Sequence, residues 1–287
     1  MKSLTLNAYA KINVGLRITG QRDDGYHYLK TMYQTINLHD VVKLSLKEET
    51  GISFSWDGEN VPDGDDNICS KAAKSFFEFI GKEYGVNIEL EKNLPVGSGL
   101  GGGSSDAACV IRGLNELLDL KLSVRDMENI ASKLGADIPF FIQGGCQYAE
   151  GIGDELSPGE LSNDWVLLLV VPVIHISTLW AYERVQPLSL TRDINDVNLA
   201  RFPHNGDAKN RKQFRNDFEP LIFSKYPEIG DIKKDLLKSE AVFASLSGSG
   251  SAVYGFYETT EKAEKAMELI SKNHRSWVLT MVREGTL

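Results

Sequence analysis

Apolar and polar residues alternate along residues 4–18, placing Leu6, Ala8, Ala10, Ile12, Val14, Leu16 and Ile18 on one side. A period of two predicts a half-buried strand. Tyr9, Lys11, Asn13 and Arg17 therefore share its other face. Asp23-Asp24-Gly25 reads as a turn, and the β-like pattern resumes over residues 33–46. Asp65-Asp66-Asn67 precedes a helical segment over 68–84. Val86, Ile88 and Leu90 then alternate again and lead into a glycine-rich stretch.

Behind that stretch the period lengthens. Ala107, Val110, Ile111, Leu114, Leu117 and Leu118 fall on one helical face. Ser104 or Ser105 is the expected cap, with Asp106 in the electropositive first turn. Ser123 and Asp126 form a capping box with Asp in place of Glu, ahead of the stripe Val124, Met127, Ile130, Ala131 and Leu134. Gly135 is the expected stop. Residues 147–155 read as a glycine-containing hairpin, and the polar stretch 157–164 divides the chain into domains 1–158 and 159–287. The second part reads strand (165–171), helices, strand (242–246), glycine turn, strand (252–257), helix (261–273), strand (277–282), with 195–216 as a long polar surface loop. This mixed order predicts an α+β fold with mixed or antiparallel sheets packed on helices, not a doubly wound parallel sheet.

Composition narrows the partners. A hydrophobic content of 42% and a charged content of 25% are those of a globular domain. The net charge of −9 argues against nucleic acid or an anionic membrane as partner. Cys69, Cys109 and Cys146 are widely spaced and form no CxxC, so they read as buried thiols. No leader and no membrane-spanning run is seen, and a cytoplasmic location is expected.

The glycine-rich stretch is Pro95-Val96-Gly97-Ser98-Gly99-Leu100-Gly101-Gly102-Gly103-Ser104-Ser105. Glycine lets successive N–H groups turn inward and lets an anion approach without meeting a Cβ. The helix N-terminus behind it adds donors and partial positive charge. Gly97, Gly99 and Gly102 also match the dinucleotide pattern, so a nicotinamide-dependent oxidoreductase is the alternative. The preceding strand opposes it: Glu89, Glu91 and Lys92 interrupt what should be a nearly all-apolar parallel strand. No Walker lysine follows the glycines. A second glycine turn, Gly248-Ser249-Gly250, can approach the same phosphates from the other domain.

The motifs Ala10-Lys11-Ile12-Asn13, Pro95 to Ala108 and Leu246-Ser247-Gly248-Ser249-Gly250, in this order, resemble those of the GHMP small-molecule kinase superfamily. Asp24-Gly25-Tyr26-His27, Gly135-Ala136-Asp137-Ile138-Pro139, Glu150-Gly151-Ile152-Gly153-Asp154 and Asn216-Asp217 narrow the likeness. They resemble the branch acting in non-mevalonate isoprenoid precursor synthesis. The resemblance implies a two-domain fold with the active site in the cleft, and ATP-dependent phosphorylation of an alcohol on a substrate carrying a cytidine diphosphate group. Homoserine-type and mevalonate-type kinases are the alternatives within the superfamily.

Phosphoryl transfer needs held phosphates, an aligned hydroxyl and compensated charge. Asp137, on the corner between Gly135 and Pro139, is the candidate proton acceptor, and Lys11 its electrostatic partner. The resemblance further implies that Asn67 touches the adenine side. It places Asn13, Tyr26, His27, Thr178, Tyr182, Gly248, Ser249 and Gly250 at the substrate. With no His/Cys/carboxylate cluster in view, Mg²⁺ is expected to bind mainly through ATP, with Ser105 as the candidate protein ligand. A monomer or weak homodimer is expected.

Overall fold

Two sheets meet face to face, and each carries helices on its outer side. The computed structural model describes residues 2–161, 164–185, 199–202, 210–270 and 274–283. The first sheet has six strands, β1 (Ser3–Gln21), β2 (His27–Lys47), β3 (Gly51–Gly58), β4 (Gly85–Lys92), β5 (Cys146–Glu150) and β6 (Glu155–Pro158), in the order β3-β4-β2-β5-β6 with β1 also on β2. Only the β3–β4 pair is parallel. The second sheet has four strands in the order β10-β7-β9-β8, from β7 (Val166–Val171), β8 (Phe243–Leu246), β9 (Val253–Tyr257) and β10 (Arg275–Leu279), all antiparallel.

The apolar positions sort into the layers. Val42, Leu44, Val86, Ile88 and Leu90 pack against α1 (Ile68–Ile80), α2 (Gly102–Leu117) and α3 (Val124–Ser132). Ala10, Ile12, Val14, Leu167, Leu169, Tyr254 and Phe256 fill the space between the sheets. Leu168, Val170, Val253 and Tyr257 face the outer helices, which include α6 (Glu219–Lys225), α7 (Pro227–Lys238) and α8 (Thr260–Ile270). β7 is apolar throughout because its alternate residues enter two different cores. An alternating β4 antiparallel to β2 is also not the strand a dinucleotide fold requires. No helix among the described residues is long and apolar enough to cross a membrane.

Several sequence expectations change. β1 is not half-buried: residues 10–18 are buried on both faces, with Ala10, Ile12 and Val14 against the second sheet and Lys11, Asn13 and Arg17 bonded to Gly99, Thr31 and Asp217. Arg215 O accepts from Leu16 N (3.1 Å), and Tyr254 Oη donates to Asn13 O (2.9 Å). The helix expected over 68–84 stops at Ile80, where Gly81 turns left-handed (φ 65°), and Gly85 begins β4. Neither Ser104 nor Ser105 caps α2; Gly101 does (φ 72°), without a side-chain bond, and Asp106 lies beyond the first turn. The Ser123–Asp126 box is present, but α3 ends at Ser132, with Lys133 and not Gly135 as its C-cap. The stretch 195–216 lies partly outside the described residues. Within them Leu199, Phe202 and Phe214 are buried in the inter-sheet core, so these parts are anchored and not a surface loop.

Leu114 is fully buried on the inner face of α2. Leu114→Ala is expected to destabilise the fold by about 2–5 kcal/mol, read as a fall in the urea midpoint with an unchanged m-value.

Candidate active site

The glycine stretch leaves β4 and ends on the N-terminus of α2. Because no side chain caps α2, the first-turn N–H groups remain available to an anion. Leu100 is buried between the sheets, and its carbonyl accepts from Lys11 N (2.9 Å), which ties the loop to β1. Gly97, Gly99 and Gly101 have φ of 67°, 81° and 72°, the left-handed region that favours glycine. A Cβ on Gly101 would stand 2.7 Å from the Phe141 ring and 3.1 Å from Lys11 Cε, so protein neighbours alone already favour a glycine there. A Cβ on Gly99 would strike the Ser247 carbonyl at 2.2 Å. The glycines here admit protein as much as ligand.

A cavity of about 450 Å³ runs along this loop. Pro95 to Ser104 line it continuously, with Lys11, Asn13, Asn67, Asp137, Thr178, Tyr182, Gly248 and Ser249. Val61, Pro62, Ile68 and Leu90 give one wall an apolar lining. Asn67 caps α1: its Oδ1 accepts from Cys69 N (2.8 Å) and its Nδ2 donates to Pro62 O (2.8 Å). Ser105 is buried and is not among the cavity-lining residues, whereas Ser104 is. Gly250 also falls outside, against Leu246 and Ile176.

Lys11 is buried, and its Nζ donates to Asn13 Oδ1 (2.6 Å) and Gly99 O (3.2 Å). Asn13 is held in turn by Thr31, whose Oγ1 accepts from Nδ2 (3.0 Å), so its amide oxygen faces the lysine. Asp137 lies in the turn between α3 and α4 (Phe140–Gln143), with Oδ2 3.8 Å from Lys11 Nζ. Burial lowers the Lys11 pKa from its ordinary 10.5, and the Asp137 charge acts in the opposite direction.

A second cavity of about 700 Å³ adjoins the first and shares Asp137, Thr178 and Tyr182 with it. Tyr26, His27, Ala136, Ile152 and Leu179 complete much of its wall. His27 is buried against Tyr182, ring centroids 5.5 Å apart, and burial lowers its pKa from the ordinary histidine value. Tyr182 is buttressed edge-on by Phe218 at 4.9 Å, while Tyr26 stands exposed. α5 (Thr178–Arg184) carries Thr178 and Tyr182, and Ser249 Oγ donates to Thr178 Oγ1 (3.3 Å). Asp137 thus stands where the two cavities join.

The sequence reading missed three groups. Tyr33 lines the first cavity and donates to Asp137 Oδ1 (3.0 Å), though its position marked it only as part of a strand. Lys92 continues the inward phase of Val86, Ile88 and Leu90, which is the signal that could have found it. It lies buried between Asp40 and Asp106, with Nζ donating to Asp40 Oδ2 and, at 2.6 Å, to Asp106 Oδ2. Burial, together with repulsion from Asp40, pushes the Asp106 carboxyl up to about 8 despite the ammonium. Ser247 is the third. Its hydroxyl donates to Gly99 O (3.0 Å), joining the two glycine turns.

Among the described residues no group of three or more His, Cys, Asp or Glu could hold a metal ion. Ser104 stands at the cavity wall in the first turn of α2.

The family model of the GHMP kinases N-terminal domain matches residues 67–145, and that of the GHMP kinases C-terminal domain matches 199–275. The chain is 43% identical over 279 residues to a 4-diphosphocytidyl-2-C-methyl-D-erythritol kinase of Prosthecochloris aestuarii, covering 96% of each. It is 42% identical over 278 residues to the protein so named from Chlorobium luteolum, covering 93% of each. A solved 4-(cytidine 5'-diphospho)-2C-methyl-D-erythritol kinase has a TM-score of 0.80 at 31% identity, covering 97% of this chain and 99% of that one. A homoserine kinase from Cytophaga hutchinsonii shares the fold, with a TM-score of 0.78 at 21% identity over 99% of this chain and 96% of its own.

Gly101→Ala is expected to displace Phe141 or Lys11 and strain the loop, weakening ATP binding at least roughly tenfold. Titration calorimetry of the variant against the unaltered protein measures this directly.

Proposed function

This chain belongs to the GHMP kinases, in the family of the 4-diphosphocytidyl-2-C-methyl-D-erythritol kinases, and we propose that it transfers the γ-phosphoryl group of ATP to the 2-hydroxyl of that cytidine-linked alcohol. The observation that carries the reading is the Lys11–Asp137 pair at the join of two cavities, one lined by the glycine loop and the other by aromatic rings. The first cavity takes ATP, with its phosphates against the loop and the α2 N-terminus and its base between Asn67 and the apolar wall. The second takes the substrate, with cytosine against Tyr26, His27 and Tyr182. Residues 1–158 then supply the donor site, and 159–287 contribute Thr178, Tyr182 and the second glycine turn.

Asp137 accepts the proton of the alcohol as its oxygen attacks the γ-phosphorus and the bond to the β-phosphate oxygen breaks. Lys11 offsets the charge that gathers there. Its neighbours Asn13 and Gly99 fix the ammonium before substrate arrives, so little reorganisation accompanies the reaction. The Ser104 hydroxyl, together with the ATP phosphates, would hold Mg²⁺, whose charge would offset that of the triphosphate. The aromatic cavity favours this reading over a homoserine or mevalonate kinase, because neither of those alcohols carries a ring to stack.

Incubating the purified protein and ATP with each of the three alcohols tests the acceptor. Phosphorylation of the cytidine compound is expected, and turnover of mevalonate or homoserine alone would overturn the reading. Asp137→Asn should lower kcat by roughly 10²–10⁴ while leaving ATP affinity intact. Because burial lowers the Lys11 pKa, the ammonium is lost before an ordinary lysine would lose it. The pH profile of kcat should therefore fall on an alkaline limb centred below 10.5. In Lys11→Arg, where the charge persists, whatever activity remains should lack that limb.

A further inference from the structure

The turn Glu150-Gly151-Ile152-Gly153-Asp154, whose Ile152 lines the second cavity, also closes over the Asp137 carboxylate. It is fastened to β2: Leu29 N donates to Gly151 O (2.8 Å), and Lys30 pairs with Glu150 (3.2 Å). Gly153 has φ +105°, and a Cβ there would stand 2.7 Å from Tyr33 Oη and 3.6 Å from Asp137 Oδ1. The missing side chain leaves room for one hydrogen bond, from the Tyr33 phenol to Asp137 Oδ1 at 3.0 Å. The Tyr33 ring is itself immobilised: it is 2% exposed, packs on Phe140 at 5.0 Å, and lies 5.3 Å from Lys11 Nζ.

We propose that Tyr33 and the Gly153 corner are positioning residues that occupy Oδ1 of Asp137 and leave Oδ2, the oxygen facing Lys11, to take the proton of the alcohol. The inference rests on the kinase reading and adds to it the choice of oxygen and the means of holding it. A carboxylate on a turn, with its side chain 41% exposed, would otherwise rotate and offer either oxygen. The phenol is fit for this task because burial and the neighbouring Asp137 charge raise its pKa well above 10.0, so it remains a donor throughout the working range. In the step itself the alcohol proton passes to Oδ2, the alcohol oxygen bonds to the γ-phosphorus, and the β-phosphate oxygen leaves with the bonding pair.

Tyr33→Phe removes the hydroxyl alone. With the hydroxyl gone, Oδ1 is no longer held and the carboxylate can offer either oxygen. kcat should fall roughly 5–30-fold, with KM for both substrates within about twofold of the original. Because the phenol acts through Asp137, the same substitution in an Asp137→Asn background should cost little more in kcat. An unaltered kcat in an enzyme that does phosphorylate the cytidine compound, or an equal loss in both backgrounds, overturns the proposal while leaving the kinase reading intact; turnover of mevalonate or homoserine alone overturns the kinase reading instead.

Gly153→Ala should act in the same direction, since its Cβ meets the phenol oxygen. If it works through that oxygen, its cost should be markedly smaller in a Tyr33→Phe background. An equal cost in both backgrounds would remove Gly153 from the device.

Discussion

One carbonyl oxygen ties the site together. Gly99 O accepts from Lys11 Nζ on β1 and from Ser247 Oγ in the second glycine turn, at 3.2 and 3.0 Å. The loop is thereby fixed to a strand of the first sheet and to a turn of the second. Ala252 N reinforces the junction by donating to Ser98 O (3.0 Å). Asn216 Nδ2 braces the far side through Leu246 O and Gly248 O, at 2.9 and 2.8 Å. If the two halves separated, the loop would lose its shape and the lysine one of its acceptors together. A left-handed, glycine-rich loop has high conformational entropy when free, so such ties are what make it a preformed cradle.

Charge is handled differently at the surface of the site and beneath it. Lys11 and Asp137 stand 3.8 Å apart with a cavity between them and solvent, a separation that leaves both free to meet a third group. Below the loop, Lys92 also lines the first cavity, but its ammonium is paired with two carboxylates of the protein. It lies between Asp40 and Asp106, and Asp40 also accepts from Asn93 N and Leu94 N at 2.6 and 2.7 Å. Such a group sets the exit of the chain from β4 and anchors the first turns of α2 to the sheet. Buried ion groups of this kind contribute more to position than to net stability, because desolvation offsets much of their attraction.

The strands, the helix behind the loop and the capping box at Ser123 were all legible as periods and local punctuation. Their ends were less so. Gly135 looked like a stop but keeps an ordinary φ, while Gly81, inside the expected helix, is the residue that turns. Ser104 and Ser105 looked like caps, but the left-handed Gly101 places the helix start earlier and leaves its donors open. Lys11, Asn13, Tyr26, His27, Thr178, Tyr182 and Asp137, spread over more than half the chain, do line the two adjoining cavities. Ser105 and Gly250 do not, because each is turned toward the interior.

By itself the sequence determined what depends on neighbours along the chain: alternation, helical stripes, glycine-rich turns, and the order of motifs that marks the family. These are local because period and backbone freedom are properties of short segments. The tertiary structure alone decided what depends on distance across the chain. It buried the polar face of β1, placed Tyr33 on Asp137 and brought Ser247 to Gly99. It also set the ring of Phe141 and the stem of Lys11 against Gly101. No periodicity encodes such contacts, because each joins residues whose separation in sequence carries no information about their separation in space.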